Sequence, residues 1–214
     1  MDPFTLARSS AALYRAEGSR SALILAHGAG TTQAHPSMVK IATAIASHGI
    51  DVITFNFRYT EEGRKIPDRN DVLEATWMAA IDGVRAHADL RAKRLYVGGR
   101  SMGGRIATQV VAKGAEVAGV VLLGYPLHPP SRPDKLRSEH LPRIRVPMLF
   151  VQGERDAFGT PEELAPIVKG LAAGTRLYIV QGGDHSFARP KSSGETIDDT
   201  LARVAAEVAQ FMVG

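Results

Sequence analysis

The chain has 214 residues, 44% of them hydrophobic, which is enough for one substantial core and gives no reason to expect a second domain. Its formal charge of +4 is dispersed, with Lys and Arg interleaved with Asp and Glu, and aromatic residues are only 6% of the chain, so the basic, aromatic-studded face of a nucleic-acid binder is missing. The absence of cysteine excludes disulfides, thiolate metal sites and a cysteine nucleophile, and no run approaches the roughly 18 apolar residues of a membrane span or the apolar core of a signal peptide, so a soluble cytoplasmic protein that does not use a membrane is expected.

Met1-Asp2-Pro3-Phe4-Thr5 resembles a cloning scar as much as a native start and carries no weight. Residues 12–18 suggest a short edge strand. Apolar runs then recur at residues 22–26, 52–57, 95–98, 117–123, 148–152 and 177–180. Their Val, Ile and Leu are consecutive rather than alternating, as in parallel strands covered on both faces. Helical stripes lie between them. Met38, Ile41 and Ile45 form one, ending at Gly49 as a C′ position, and Leu73, Trp77, Ile81 and Val84 form another. Ile106, Val110 and Val111 follow Met102, and the last helix carries Ile197, Leu201, Val204, Val208 and Phe211. This alternation predicts a doubly wound, mostly parallel α/β sheet with helices on both faces and ligand sites beyond the strands' carboxyl ends. Residues 125–145 hold Pro126, Pro129, Pro130, Pro133 and Pro142 and read as an extended, semi-rigid excursion rather than a cap domain.

The strongest local signal is Gly99-Arg100-Ser101-Met102-Gly103, between a strand pattern and a helix pattern. Glycines at these positions permit a sharp turn that lifts the serine hydroxyl clear of the sheet. His27-Gly28-Ala29-Gly30 follows the first strong strand and matches an oxyanion loop, in which the Ala29 amide joins that of Met102. A serine nucleophile needs a base and an orienting acid. Asp156 follows the run at 148–152, and His185 follows the run at 177–180. Glu154 is the rival acid; Asp184, adjoining the histidine, is badly placed to grip its ring. His48 and His87 read as helix-end residues, whereas His35, His128 and His140 are candidates for substrate contact, as are His27, Gly28 and Gly30. Arg58, Arg64 and Arg100 are candidates for holding an acidic substrate group. No metal is expected, because no clustered His ligands occur. The glycines around Ser101 lack the Gly-Lys-Ser/Thr ending of a phosphate loop, so no nucleotide or other cofactor is expected either.

These motifs, together with Phe55-Asn56-Phe57-Arg58, Tyr125-Pro126-Leu127-His128-Pro129-Pro130, Val151-Gln152-Gly153 and Gly183-Asp184-His185-Ser186-Phe187, resemble the small dienelactone-hydrolase-like α/β-hydrolases of bacteria, over nearly the whole chain. That branch also holds the hydrolase-like domains of a testis-expressed protein and of a subunit of the NSL histone acetyltransferase complex. The resemblance implies an α/β-hydrolase fold without a large cap and a triad of Ser101, Asp156 and His185. The chain departs from true dienelactone hydrolases in having serine for cysteine. A small-molecule acyl substrate is the expected partner; a thioesterase, peptidase or acyltransferase on the same triad, or a non-catalytic interaction module, are the alternatives. The oligomeric state is not legible.

Overall fold

A computed structural model describes residues 2–6 and 9–213. Among these, β1 (Asp2–Leu6), β2 (Ser9–Tyr14), β3 (Ser21–Ala26), β4 (Asp51–Phe55), β5 (Arg94–Arg100), β6 (Gly119–Leu123), β7 (Met148–Gly153) and β8 (Arg176–Val180) form one sheet. The strand order is β1-β2-β4-β3-β5-β6-β7-β8. Only the β1–β2 and β2–β4 pairings are antiparallel. The helices are α1 (Pro36–Ala46), α2 (Arg58–Glu61), α3 (Asn70–Ala86), α4 (Met102–Ala112), α5 (Pro161–Lys169) and α6 (Ile197–Val213). No helix among the described residues is long and apolar enough to cross a membrane.

Two apolar layers explain the unbroken Val, Ile and Leu runs. In β3, Ile24 and Ala26 join α3 and α4 on one face, while Leu23 and Leu25 join α1 and α6 on the other. Trp77 anchors the first layer; it is fully buried and its indole N–H donates to the Gly103 carbonyl at 3.1 Å, fixing α3 against the start of α4. The strand order reverses across β3, whose successor β4 lies on one side and β5 on the other. This is the switch point at which α/β sheets open a crevice. The register pairs Ala26 with Gly99, so the chain leaves both strands side by side toward His27 and Ser101.

Several boundaries differ from the sequence expectation. β2 begins at Ser9, three residues ahead of the expected strand, and is not an edge because β1 covers it. α1 ends at Ala46 with Ser47 as its cap, so Gly49, at φ +84°, lies in the turn beyond the C′ position. β4 stops at Phe55 rather than Phe57. The reason is His27: its Nε2 accepts the Phe57 N–H at 3.2 Å, drawing that amide out of strand geometry. The excursion at 125–145 contains only a 3₁₀ turn at Leu141–Arg143, yet it is pinned to the core by buried Leu127, Leu141 and Ile144.

His27 was a candidate substrate contact, and the structure corrects this. The ring is fully buried, edge-on to Phe57 at 5.1 Å, and does not line the cleft described below. Because Nε2 accepts, Nδ1 carries the hydrogen and donates to the Gly28 carbonyl at 2.8 Å. The imidazole therefore ties the loop after β3 to the loop after β4, and it does so only while neutral. Burial pushes its pKa down to about 4, from 6.5, against smaller opposing effects of the Gly28 carbonyl and Glu61.

A histidine whose folded pKa is depressed is protonated first in the unfolded chain, so stability falls as pH drops from 6.5 toward 4. From this group alone the loss between pH 7 and pH 5 is about 2 kcal/mol. Urea denaturation at the two pH values measures it. His27→Gln should show a distinctly shallower pH dependence than the wild type, and equal slopes would remove His27 as the cause.

Candidate active site

At the end of β5 the chain reverses through Ser101 into α4. Ser101 adopts φ 47° and ψ −114°, a conformation that costs a residue with a Cβ about 1–3 kcal/mol. Close backbone packing enforces the turn. A Cβ on Gly99 would lie 2.6 Å from the Ala26 carbonyl oxygen, and one on Gly103 would lie 2.5 Å from that of His27. The Ser101 N–H donates to the Leu123 carbonyl at 3.0 Å, anchoring the elbow to β6. Met102 opens α4, so its N–H has no acceptor within the helix.

The loop after β3 supplies the opposite side. A Cβ on Gly28 would be 3.7 Å from the Ser101 Cβ, so main chain and serine are neighbours here. The Gly28 carbonyl accepts from the Thr31 hydroxyl at 3.0 Å as well as from His27, and Gly30 turns the chain at φ +71°. Ala29 and Met102 both line the cleft with Ser101. Gly30 is exposed and lies outside the lining, so its part is the turn alone.

His185 arrives on the loop after β8 and Asp156 on the loop after β7. Ser101 Oγ stands 2.9 Å from His185 Nε2, and His185 Nδ1 stands 2.7 Å from Asp156 Oδ2. A carboxylate only accepts, so Nδ1 bears the hydrogen and Nε2 is left to accept from the hydroxyl. This hydroxyl–imidazole–carboxylate line is arranged for proton transfer away from Ser101. Asp156 is buried, and its other contacts hold it: Gln152 Nε2 donates to Oδ2 at 2.8 Å and the Phe158 N–H donates to Oδ1 at 2.8 Å. The Phe158 ring lies 4.3 Å from the imidazole, limiting its swing.

The rival acids sit elsewhere. Glu154 accepts the Gly182 N–H at 2.6 Å on the surface, and Asp184 Oδ1 accepts from the Ser186 N–H, the Ser186 hydroxyl and the Ala188 N–H. Asp184 thus shapes the loop that presents His185. Gly153 is required where these loops meet, since a Cβ there would lie 2.3 Å from the Asp184 carbonyl oxygen.

Ser101 and His185 open into a cleft of about 860 Å³. Gly28 and Arg100 line it, as does His35, whose ring also caps α1 by accepting the Ser37 N–H at 3.3 Å. Arg100 is committed to the scaffold: its guanidinium donates to the His185 carbonyl at 3.1 Å and stacks 4.9 Å over Phe187. Burial lowers its pKa, opposed by Asp156 and Asp184. Four further candidates fall outside the lining of the cleft. Arg58 pairs with Glu62 at 2.8 Å, and Arg64 pairs with Glu62 and Asp68, each at 2.6 Å. Buried His128 bridges the Pro129 carbonyl and Glu163, tying the excursion to α5. His140 is likewise outside the lining, bonded to the Thr108 hydroxyl at 2.7 Å. The sequence reading did not single out Gln152 as a brace for the acid, nor Phe158, Arg105 and Arg137 in the lining. Buried glutamine in a strand end is the one signal that pointed to the first.

The chain is similar to solved α/β enzymes over almost its full length. A dienelactone hydrolase from Anabaena variabilis matches with a TM-score of 0.78 at 21% identity, covering 99% of this chain and 95% of that one. A lidless α/β serine hydrolase from Xanthomonas campestris matches with a TM-score of 0.73 at 20% identity, covering 96% and 94%. Est1E from Butyrivibrio proteoclasticus, solved with ferulic acid bound, matches with a TM-score of 0.77 at 14% identity, covering 100% and 98%. At such identities the likeness establishes the fold. The model of the alpha/beta hydrolase domain family matches residues 19–213, and the chain belongs to that family.

Proposed function

We propose that this protein is a serine hydrolase that cleaves a small ester through an acyl-enzyme formed on Ser101. The observation that carries this reading is the continuous relay from Ser101 Oγ through His185 to Asp156, set on a strained elbow at the mouth of a cleft. The neighbours named as hydrolases and an esterase from Pyrococcus furiosus support the reaction class.

In the first half-reaction Ser101 Oγ attacks the acyl carbon while His185 Nε2 takes its proton. The tetrahedral oxyanion lies between the Met102 and Ala29 amides, where one well-placed donor is worth about 3 kcal/mol. His185 then protonates the departing alcohol, leaving the acyl group on Ser101. In the second half-reaction His185 takes a proton from water, whose oxygen attacks the acyl carbon, and returns it to Ser101 Oγ as the acid leaves. Asp156 holds the Nδ1–H tautomer and stabilises the imidazolium formed at each attack.

A fluorophosphonate probe should add one adduct at Ser101, absent in Ser101→Ala and in His185→Ala, and each variant should lose about 10³-fold or more in kcat on a short-chain ester. Folded wild-type protein that stays unlabelled while a known serine hydrolase reacts alongside would sink the proposal.

Gln152 gives a second test. Its side chain is fully buried, with Nε2 donating to Asp156 and to the Gly159 carbonyl at 2.8 Å, and Oε1 accepting the Tyr125 N–H at 2.8 Å. Gln152→Leu strands these partners, costing about 2–4 kcal/mol of stability. It should also lower kcat about tenfold without raising KM, because Asp156 loses a brace while the cleft lining is untouched. A rise in KM at constant kcat would count against that positioning role.

A further inference from the structure

The Ser101 cleft is lined by three arginines, Arg100, Arg105 and Arg137, and only Arg100 is held by the scaffold around His185. We infer that Arg105 and Arg137 together form an anion subsite, and that the preferred substrate is an ester bearing a second, free carboxylate. This rests on the hydrolase reading proposed above and names the substrate class it serves.

Arg105 is placed by α4. It lies one turn beyond Ser101, its N–H donating to the Ser101 carbonyl at 3.0 Å, so its side chain projects from the same face of the helix as the nucleophile. Arg137 is placed by the proline-rich excursion, which grips it from both sides of the main chain. The Tyr125 hydroxyl donates to the Arg137 carbonyl at 2.6 Å, and the Arg137 N–H donates to the Leu127 carbonyl at 2.8 Å. Tyr125 is itself buried, and Leu127 belongs to the core. A guanidinium carried on so fixed a backbone is a built feature rather than a loose surface charge.

Neither guanidinium has an ion-pair partner among the described residues, in contrast to Arg58, Arg64, Arg69, Arg132 and Arg189. The carboxylates nearby pair with other cations, although Asp68 does so through Oδ1 alone and keeps a buried Oδ2 without a partner. Asp68, on the same cleft wall, pairs with Arg64, and Glu74 pairs with Lys113. Arg105 reaches only the Asn70 side-chain oxygen, at 3.4 Å, and the Asn70 amide is held in turn by Gln109. Burial lowers the pKa of Arg105, and the positive charge of Arg137 lowers it further. His140 is neutral at pH 7, because burial and the charges of Arg105 and Arg143 push its pKa down to about 4; the Thr108 hydroxyl donates to the Arg105 carbonyl, so His140 Nε2–H donates to Thr108. Two partly desolvated, mutually repelling forks at a reaction cleft are relieved by a bound anion, and a planar carboxylate matches the guanidinium geometry.

The test compares a matched pair of 4-nitrophenyl esters, one with a free terminal carboxylate (hemiglutarate) and one with that carboxylate methylated. Wild-type protein should favour the anionic ester in kcat/KM. In Arg105→Gln and Arg137→Gln the anionic-to-neutral ratio should fall by about 10- to 100-fold, mostly through KM. Arg137→Lys, which keeps the charge but not the fork, should fall less. A ratio that is near unity in the wild type, or unchanged in both variants, would overturn the subsite. Calorimetric titration of Ser101→Ala with glutarate separates the two readings. Binding that both arginine substitutions abolish supports the subsite even if no ester is turned over, and absence of binding counts against it even if neutral esters are hydrolysed.

Discussion

The contact on which the site depends is the backbone packing of the β5–α4 turn against the end of β3. Ala26 pairs with Gly99, and the carbonyls of Ala26 and His27 occupy the space that side chains on Gly99 and Gly103 would need. Parallel strands at the reversal point of the sheet deliver two loops to one place, but loops that merely arrive together do not bring main chain against the serine. Main chains must approach to within van der Waals distance, and only glycine leaves that distance open. The strained Ser101 conformation is a consequence of the same packing. The strain is held by the Leu123 carbonyl on one side and by the α4–Trp77 contact on the other, so no local relaxation relieves it without moving a core element.

Buried polar side chains then fix what the strands only bring near. His27 links the loops after β3 and β4, Gln152 links the loop after β6 to the acid on the loop after β7, and Asp184 gathers the turn that carries His185. His27 and Gln152 use their donors and acceptors where water does not reach, so an unmatched partner there costs about 1–3 kcal/mol, whereas Asp184 is half-buried and gathers its turn through Oδ1. The consequence for function is rotational rather than translational. Asp156 takes hydrogen bonds on both oxygens, which fixes its plane, and the plane of the carboxylate sets the direction of the imidazole toward Ser101 Oγ.

Most of the sheet was legible in the sequence because two-sided burial writes itself as unbroken apolar runs. The elements that escaped have other signatures. β1 lies in a segment whose sequence was given no weight, and β2, expected only from residue 12, starts at Ser9 in a stretch of serine and alanine, residues without strong strand preference. α5 announces itself only through Thr160, Pro161 and Glu163, a capping box with proline at the first turn, and its interior Pro166 masks the helical pattern. The three residues of the relay were readable from strand-then-loop position and chain order, since each needs a strand end to hold it. Lining residues were not. Arg58 and Arg64 follow a strand, but local carboxylates at Glu62 and Asp68 capture both, a pairing set by side-chain direction in a short helix and turn. His128 shows the converse: its neighbourhood in sequence is the cleft rim, yet its ring turns inward to Glu163.

The proline-rich excursion explains how a cleft is furnished without a cap. In its absence of helix or strand, rigidity comes from prolines that restrict φ and from a few buried anchors, Leu127, Leu141 and Ile144. Such a segment cannot close over a substrate as a lid would, so it contributes by presenting fixed groups. Tyr125 is the link between core and rim: its N–H is held by Gln152, which also braces Asp156, and its hydroxyl holds the Arg137 carbonyl. The orienting acid and the cleft-wall guanidinium are thereby referred to the same buried pair of side chains. Their spacing is set by packed core rather than by a mobile loop, which is the condition under which recognition of a substrate's far end can be converted into alignment of its reacting carbon.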